Sequence, residues 1–403
     1  MRRGLAVLLG APLLGADFSQ RGFVELRTVL YPQTAANDRA RVVAEGLLRY
    51  EALFKFSGWL RAAGALDART DTHHQTSRGF QVSVWDRERQ RPAFALRRFS
   101  VAVNRGSFTA EFGRQFVRWG KADVLNPTDR FAPRDFLTVV DNDFLAVTAA
   151  RWSWERQGHT LDAVLAPRFT PSRIPLLNQR WVVVPEALRG IPLADGGARF
   201  PGGAQFGLRW NHVARGFEHS FSFYEGFHHL PLFEGRPAFG RIEVVRFYPA
   251  LRMYGADAAA PLRWITLKGE AAWFTSRTAQ ADEYVQYVVQ AERQSGEWFL
   301  VGGYAGERVT RRRNPFGFAP DRGLTRAFLG RAGYTIDANR SLAFEGAVRR
   351  NGKGLWLRIE YSQGLGAHWR LTSSFTLIRG AQEDFLGQYR RNSHGILSLR
   401  YSF

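Results

Sequence analysis

The stretch GLWLRIEYS, residues 354–362, alternates between two kinds of side chain along its length. One side of an extended chain would carry the apolar residues Leu355, Leu357, Ile359 and Tyr361. The other side would carry the charged residues Arg358 and Glu360. Successive side chains of a β-strand point to opposite faces, so this period of two predicts a strand with one apolar face and one charged face.

The same alternation recurs on both sides of this stretch. Residues 369–378 and 397–403 repeat it toward the end of the chain, and residues 44–55 show it near the start. A soluble antiparallel sandwich also alternates, but its strands are typically about 5 or 6 residues long. Longer alternating segments are typical of a transmembrane barrel, whose strands turn apolar side chains to lipid and polar ones to the lumen.

The connections between these segments point to the same architecture. We mark eighteen alternating segments: 22–31, 42–55, 58–68, 93–104, 107–119, 143–155, 158–168, 203–213, 216–226, 239–254, 261–275, 283–293, 297–308, 323–336, 341–350, 353–363, 368–379 and 389–403. Short connections, such as 56–57 and the GADAAA stretch at 255–260, alternate with long ones, such as 69–92 and 120–142. Outer-membrane barrels alternate short periplasmic turns with longer extracellular loops. We therefore predict an all-β fold: a single transmembrane antiparallel up-and-down β-barrel of about 18 strands (16–18), with both termini on the periplasmic side.

The first residues, MRRGLAVLLGAPLLGA, have the order of a secretory signal. Two arginines precede an apolar run from Leu5 to Leu14, and small residues follow at Gly15 and Ala16. We predict a signal peptide at 1–16 and the barrel at 17–403, the alternative being a buried N-terminal strand or helix. The chain has no cysteine, which rules out disulfides, thiolate metal sites and a cysteine nucleophile. A secreted chain of this kind indicates the bacterial outer membrane.

The charge of the chain comes almost entirely from arginine. The formal net charge is +20, with four lysines and 52 arginines among the 403 residues. This usage reflects either a genomic base-composition bias or a function, since guanidinium groups suit phosphates and carboxylates. The arginines are spread along the chain without a basic tail or nucleic-acid motif, so a nucleic-acid partner is not expected. Lipopolysaccharide, outer-membrane lipid and anionic solutes are the partners that such charges would fit.

Two segments resemble known outer-membrane proteins. GRQFVRWGKADVLNPTDRFAPRDF, residues 113–136, is similar to the GRQ…WG…D…NPxD segment of a large, poorly characterised group of porin-like Gram-negative outer-membrane barrels. Residues 267–274 and 284–307 are also similar to a strand pair of such proteins. Some members of the group are linked to transport of lipids or other apolar molecules. The terminal residues Tyr401 and Phe403 resemble the C-terminal signal read by the barrel-assembly machinery.

The segment after the fifth predicted strand is rich in charge and proline. Its candidate residues are Asp123, Asn126, Asp129, Arg130, Arg134 and Asp135. Proline fixes its own backbone and restricts its neighbour, so Pro127 and Pro133 stiffen the segment. We interpret it as a loop folded into the lumen that constricts the pore. A solvated extracellular loop is the alternative, and calcium binding is disfavoured because the aspartate spacing lacks the EF-hand pattern.

If the apolar faces are outside, a set of charged residues points into the lumen. The pore-lining candidates are Glu45, Arg49, Glu51, Lys55, Arg61, Lys268, Glu270, Arg349, Arg358, Glu360 and Arg400. Both signs can coexist in a hydrated lumen, where water and ion pairs replace bulk solvation. One strand conflicts with this assignment, since Arg114 and Arg118 share parity with Phe108, Phe112 and Phe116. Either that strand carries a bulge or its aromatic residues face the lumen.

These observations favour an outer-membrane channel over an enzyme. No histidine stands in a motif with a serine nucleophile, and we expect no catalytic residue, cofactor or metal site. We predict a porin-like channel for small solutes, including anionic or amphipathic ones. The alternatives are a conduit for export or uptake of lipid-like molecules or polymers, and a plugged structural or surface-binding barrel. Arg311, Arg312 and Arg313 lie in a predicted outer loop, where we expect contacts with lipopolysaccharide.

Overall fold

The computed structural model describes residues 17–80, 84–123, 125–188, 190–313 and 319–403, so the predicted signal peptide at 1–16 lies outside the described residues. The strands, in chain order, are β1 (Asp17–Leu30), β2 (Val42–Lys55), β3 (Leu60–Asp71), β4 (Thr76–Phe80), β5 (Arg91–Arg105), β6 (Phe108–Gln115), β7 (Arg134–Asp135), β8 (Asp143–Phe144), β9 (Val147–Arg156), β10 (His159–Ala166), β11 (Leu193–Arg199), β12 (Gln205–Ala214), β13 (Phe217–Phe227), β14 (Leu232–Ala238), β15 (Arg241–Phe247), β16 (Ala250–Pro261), β17 (Thr266–Thr275), β18 (Glu283–Ser295), β19 (Trp298–Arg311), β20 (Ala327–Thr335), β21 (Arg340–Arg349), β22 (Gly354–Leu365), β23 (Trp369–Gly380) and β24 (His394–Ser402). The described helical turns are α1 (Pro320–Gly323) and the 3-10 turns Glu186–Leu188 and Gly387–Asn392. Within these residues, no helix is long and apolar enough to cross a membrane.

Eighteen of the strands form a closed antiparallel barrel, as the sequence predicts. The strands outside the barrel wall are β4, β7, β8, β11, β14 and β15. The first strand, β1, pairs with both β2 and β24, which leaves the barrel sheet without a free edge. Phe403 extends this seam, because its N–H donates to the Gly22 carbonyl at 3.0 Å and its own carbonyl accepts from the Gly22 N–H at 2.9 Å.

Short turns and long loops alternate around the barrel. The turns at one end, called the turn end, include residues 106–107, 157–158 and 215–216. The long connections, such as 116–146 and 167–204, leave from the opposite end, called the loop end. The polypeptide enters β1 and leaves β24 at the turn end.

One predicted strand was wrong. The sequence predicts a strand at 239–254 followed by a turn at GADAAA, but β16 runs from Ala250 to Pro261 and contains that stretch. Residues 241–247 instead form β15, which pairs with β14 and β11 in a separate three-stranded sheet at the loop end. Pro249 separates the two strands, because proline has no N–H to give to a strand ladder. The turn after β16 consists of residues 262–265.

The outer surface of the barrel is apolar. Leu26 is 63% exposed, Leu48 42% and Phe375 48%, although each lies on a barrel strand. The intervening positions on these strands point inward and carry polar or charged groups. This arrangement suits a wall that stands between lipid and a polar interior.

Two backbone irregularities settle the parity conflict around β6. Phe108 and Phe112 are exposed on the outer face, whereas Phe116, just beyond the end of β6, lies in the lumen against Arg97. Gly113 has a φ of +118°, and a Cβ there would stand 2.3 Å from the Phe99 carbonyl oxygen. The glycine therefore permits a turn of the chain that brings Arg114 to the inside, where it is 4% exposed.

The second irregularity is a β-bulge at Arg97 in β5. Ala65 of β3 pairs with Arg98, while the next residue, Leu66, pairs with Leu96, so Arg97 has no partner on β3. A bulge of this kind places consecutive residues on one side of the strand. Arg97 contacts Asp143 at 2.8 Å and Arg98 contacts Glu111 at 2.9 Å, so both guanidinium groups lie in the lumen.

Candidate functional site

The lumen contains the segment 116–146, which we call the inserted segment. It leaves the wall after β6 and returns to it at β9. Trp119 and Phe131 pack edge to face at 5.5 Å, and Phe131 meets the inward ring of Tyr224 at 5.1 Å. These rings fit against β12 at Gly207, where a Cβ would approach Phe131 to 2.5 Å. The main hydrophobic core of the molecule therefore lies inside the barrel, between the inserted segment and the wall.

Glu270 on β17 anchors the inserted segment. Its carboxylate accepts hydrogen bonds from the N–H groups of Lys121 at 3.1 Å, Ala122 at 3.2 Å and Thr128 at 2.8 Å, and from the Thr128 hydroxyl at 2.8 Å. Gly120 makes this approach possible, since a Cβ there would lie 2.7 Å from the carboxylate. Glu270 is 3% exposed. It points inward as predicted, but its carboxylate is occupied by the segment rather than open to the lumen.

A second set of contacts fixes the same part of the segment to β18 and to neighbouring strands. Asp123 donates its N–H to Gln290 at 3.0 Å, and its carboxylate accepts from Lys268 at 3.1 Å. Lys121 reaches Asp257 at 3.0 Å and Glu218 at 2.8 Å. The segment is thereby fixed to one side of the barrel through both its backbone and its side chains.

A chain of alternating charges runs through the lumen from Arg114 on β6 to Glu360 on β22. No neighbouring pair in it is more than 3.7 Å apart. Its members, in order, are Arg114, Asp86, Arg173, Asp135, Arg91, Glu45, Arg27, Asp141, Arg358 and Glu360. Two of its carboxylates, Asp135 and Asp141, belong to the inserted segment, so the segment is tied to β1, β5 and β22 by ion pairs.

The carboxylates of the segment stay ionised because of these arginines. Burial opposes ionisation of Asp141, but the charges of Arg27 and Arg358 outweigh it and lower its pKa to about 2. Burial likewise opposes ionisation of Asp135, and the charges of Arg91 and Arg173 outweigh it, so the pKa lies well below the usual range. Both groups are therefore negative at neutral pH, as the ion pairs require.

A charged chamber of about 320 Å³ lies between the inserted segment and strands β1, β2, β3, β5 and β24. Eight arginines and eight carboxylates line it: Glu25, Arg27, Glu45, Arg49, Asp67, Arg69, Asp71, Asp86, Arg91, Arg97, Arg114, Asp135, Asp141, Asp143, Arg173 and Arg400. The two signs are equal in number although the chain as a whole carries +20. The chamber is therefore strongly polar but close to neutral overall.

The other side of the inserted segment borders a smaller cavity of about 140 Å³, which we call the inner cavity. Its lining is mostly apolar and includes Phe136, Val139, Trp356 and Leu386. Arg134 also lines it, and no described carboxylate pairs with this guanidinium, which donates to the Asn142 side chain at 3.0 Å. Burial lowers the pKa of Arg134 to about 10, because the nearby charge of Asp129 offsets only part of the desolvation. The Arg134 guanidinium thus has no salt-bridge partner among the described residues, although the carboxylates of Asp129 and Asp321 line the same cavity.

Three further polar atoms of inner-cavity residues are buried without a hydrogen-bond partner among the described residues. They are Nε of Arg130, Oδ1 of Asp321 and Nε1 of Trp356. Such atoms are rare in folded proteins, because leaving one buried and unpaired costs about 1–3 kcal/mol. A bound molecule or water could satisfy them. The lining of the cavity therefore includes three residues with an unpaired buried polar atom.

The inner cavity lies next to spaces on both sides. A vestibule of about 310 Å³ at the loop end shares the lining residues His228, Leu230, Leu251 and Phe385 with it. The charged chamber shares Asn142 with it. The vestibule, the inner cavity and the charged chamber are thus neighbours in that order, and the inserted segment lines the last two.

The eleven predicted pore-lining residues all occupy inward positions on their strands, but their surroundings differ. Glu45, Arg49 and Arg400 line the charged chamber. Arg358 and Glu360 end the alternating chain, Lys268 and Glu270 hold the inserted segment, and Arg349 pairs with Asp384 at 3.1 Å beside the vestibule. Glu51, Lys55 and Arg61 lie nearer the turn end, away from these cavities.

The six candidates in the inserted segment are divided between its two sides. Asn126, Asp129, Arg130 and Arg134 line the inner cavity, Asp135 lines the charged chamber, and Asp123 is bound to the wall. Sequence reasoning missed Arg91 and Arg97, which also line the chamber. The sequence contained one indication of the bulge at Arg97. Phe94 and Phe99 are large apolar residues that both face outward, and a regular alternation cannot place residues five positions apart on one face.

The arginine triplet at 311–313 is divided as well. The Arg313 guanidinium donates to the Ser276 carbonyl at 3.1 Å and pairs with Glu283 at 2.9 Å, so it holds loops together. Arg311 and Arg312 are exposed, and Arg312 borders the vestibule. The lipopolysaccharide contact expected of Arg311, Arg312 and Arg313 stays a prediction. In the described part of the chain, no three histidine or acidic side chains form a group suited to a metal ion.

Comparison with known proteins finds similarity in structure alone. No protein-family model matches the chain, and no curated protein matches it in sequence. A BenF-like porin from Pseudomonas fluorescens Pf-5 superposes with a TM-score of 0.57 at 11% identity, covering 96% of this chain and 98% of that one. Acinetobacter baumannii OccAB4 gives 0.56 at 8% identity, covering 98% and 100%, and Pseudomonas aeruginosa OccK3 gives 0.55 at 10%, covering 95% of each chain. At such identities the match establishes the fold: the chain has the 18-stranded barrel architecture of a porin.

Proposed function

We propose that this chain is a channel of the bacterial outer membrane through which small solutes diffuse, amphipathic anions foremost. The apolar outer wall supports the membrane location, since a barrel with this surface is stable in lipid and not in water. The succession of vestibule, inner cavity and charged chamber supports conduction. A polar path with fixed charges of both signs is typical of pores that pass hydrated solutes.

Our choice of solute rests on the Arg134 guanidinium, which has no salt bridge with any described carboxylate. A buried guanidinium without a direct ion pair favours an anionic ligand, because a charge-assisted hydrogen bond would offset the loss of its hydration. The apolar lining on Phe136, Val139 and Leu386 favours a ligand with a hydrocarbon part. A small carboxylic acid with a short apolar body satisfies both requirements. Trp356, whose buried indole N–H has no partner among the described residues, lines the same cavity.

The test uses purified full-length barrel in planar bilayers, with hexanoate as the anionic probe and hexanamide as the neutral one. We expect hexanoate to interrupt the single-channel current and hexanamide not to. Arg134→Gln should weaken the hexanoate effect about tenfold, since hydrogen bonds to charged groups contribute about 1.5–3 kcal/mol. Arg151→Gln is the matched control, because Arg151 also faces the lumen but pairs with Asp162, away from the inner cavity.

A plugged barrel is the second candidate, and one observation favours it. The alternating chain of ten charged residues satisfies itself across the middle of the lumen. If the intact protein inserts and never conducts, this candidate replaces the channel. If it conducts but hexanoate and hexanamide act alike, the channel stands and the amphipathic-anion assignment fails.

A further inference from the structure

The outer wall of the barrel contains a hollow of about 470 Å³ between β6 and β13, the largest of the four described cavities. Six aromatic side chains border it: Phe108, Trp152, Trp154, Trp210, Phe221 and Phe223. Ala163 of β10 forms its floor, since it stands directly opposite Trp152 on β9 and Leu208 on β12. A methyl group among rings leaves the wall recessed. The volume falls within the range of about 300–1,000 Å³ that is usual for ligand sites.

A row of histidines crosses the wall beside this hollow, one step nearer the turn end. His159, His212 and His219 are direct cross-strand neighbours on β10, β12 and β13. Their ring centroids are 4.2 Å and 5.3 Å apart in that order. Trp210 donates its indole N–H to His159 at 3.2 Å, whereas Nδ1 of His219 is buried without a partner among the described residues. The row therefore offers a ring nitrogen that no described protein group uses.

Three arginines stand beside and beyond the row. Arg156 is the cross-strand neighbour of His159, and Arg105 is that of Phe108 at the edge of the hollow. Arg215 lies in the two-residue turn between β12 and β13. All three are exposed, and none pairs with a carboxylate among the residues that the structure describes. Three adjacent hairpins thus each carry an exposed arginine without a described salt bridge, with Glu155 next to Arg156 in one of them.

Two other hairpins at the turn end are different. Arg340, at the start of β21, pairs with Asp337 at 2.6 Å, and the turn between β18 and β19 contains Glu297. Exposed basic side chains without a described ion pair also occur at other turn-end hairpins, as at Lys55, Arg61 and Arg263, so the feature that distinguishes these three hairpins is the hollow and the histidine row beside them. The apolar recess and the basic rim are continuous, with the histidine row between them.

We propose that this face binds one anionic phospholipid of the leaflet at the turn end, with an acyl chain in the hollow and the phosphate against the histidine row and the arginines. Guanidinium groups bind phosphate through paired hydrogen bonds, and basic side chains near a membrane surface attract anionic lipids. The site rests on the membrane location proposed above. It does not depend on conduction through the lumen.

The test is native mass spectrometry of the full-length barrel released from detergent micelles that contain dioleoylphosphatidylglycerol or dioleoylphosphatidylcholine. We expect the wild type to retain one phosphatidylglycerol molecule and no phosphatidylcholine. Ala163→Phe fills the hollow and should abolish retention, whereas Ala332→Phe, beside Phe344 on a distant part of the outer wall, should not. Replacing Arg156 and Arg215 by Gln should weaken phosphatidylglycerol binding about fivefold for each arginine, and Arg340→Gln should leave it unchanged.

Three results would overturn the proposal. Equal retention of both lipids, or equal loss in Ala163→Phe and Ala332→Phe, would show that the hollow selects nothing. A change in subunit number caused by Ala163→Phe, without loss of lipid, would assign the face to a second copy of the chain. Heat-modifiable migration on gels identifies any variant that fails to fold. A barrel that holds the lipid but carries no current would retain this site and lose the proposed channel function.

Discussion

At the scale of single residues, Glu270 shows how much of the docking of the inserted segment depends on one side chain. One carboxylate accepts four hydrogen bonds from the inserted segment. An amide would present a donor where the segment also presents donors, so two N–H groups would face each other. The docking of the inserted segment thus depends on the negative charge of the Glu270 carboxylate.

We expect Glu270→Gln to loosen the inserted segment without unfolding the barrel. Loss of a charged acceptor for buried N–H groups costs about 1–3 kcal/mol, which is small against the hydrogen bonds of an eighteen-stranded barrel. Limited proteolysis should then cleave within 116–146, and the open-channel current should become noisier. Glu345→Gln is the control, because Glu345 also faces inward but pairs with Arg331 in a more open region. Equal protease resistance in both variants would contradict the anchoring role.

The sequence predicted the inward orientation of Glu270 but not its partners. Orientation follows from local alternation, which any strand displays within a few residues. The partner Thr128 is 142 positions away along the chain, and no local pattern encodes such a contact. The same reason applies to Arg134, which the sequence analysis named as a constriction-loop candidate without any indication that it would lack a salt bridge to a described carboxylate.

At the scale of elements, the inserted segment is held to the far wall by ion pairs whose strength depends on pH. Asp141 has a pKa of about 2, below the ordinary value near 3.9. A carboxylate with a lowered pKa stabilises the folded arrangement fully above its ordinary value and loses this contribution as the pH falls toward the lowered value. Asp135 shifts in the same direction.

We therefore expect the segment to stay docked from about pH 8 down to about pH 4, and to loosen between about pH 4 and pH 2. Single-channel conductance and protease resistance of 116–146 should stay constant over the first interval and change over the second. Asp141→Asn should show already at neutral pH the conductance and protease resistance that the wild type shows near pH 2. The reason is that an amide carries no charge to pair with Arg27 and Arg358. A conductance change centred near pH 6 would point to histidine instead.

The strands themselves were predicted closely where alternation is regular. β2 was predicted with both of its observed ends, at 42 and 55. The failures have physical causes: β15 and β16 read as one alternating run although Pro249 interrupts them, and the bulge at Arg97 breaks the period. Small residues also explain the wrong prediction of a turn at GADAAA, since alanines in a wall strand resemble turn residues when no large side chain marks the outer face.

At the scale of the whole molecule, the closed barrel depends on the seam between β1 and β24. Eight residue pairs join these strands, and Phe403 adds a pair of hydrogen bonds to Gly22. The Phe403 ring also covers Gly22, where a Cβ would come within 2.6 Å of it. Removal of Phe403 should therefore lower the amount of heat-modifiable barrel in outer-membrane fractions, whereas Phe403→Tyr should not. Equal amounts for the deletion and the wild type would contradict the assembly role expected for the terminal residue.

The charge of the whole chain gives a further prediction. A net charge of +20 favours anions near the protein, but the charged chamber contains equal numbers of arginines and carboxylates. The narrow part of a pore dominates its selectivity, because fixed charges act most strongly where low-dielectric walls are close. We expect a modest reversal potential on the anion side under a salt gradient, made clearly larger by Asp143→Asn. A strongly anion-selective wild type would show that the chamber is not on the path.

The aromatic hollow on the outer wall also has a spectroscopic consequence. Trp152, Trp154 and Trp210 surround it, among twelve tryptophans in the chain. Bromine atoms quench indole emission at contact, so a phospholipid with brominated acyl chains would dim these three when it occupies the hollow. Trp119 and Trp181 are buried in the interior at 2% and 1% exposure, beyond the reach of any acyl chain. The protein thus contains both a reporter of its own lipid occupancy and an internal intensity reference, without any attached dye.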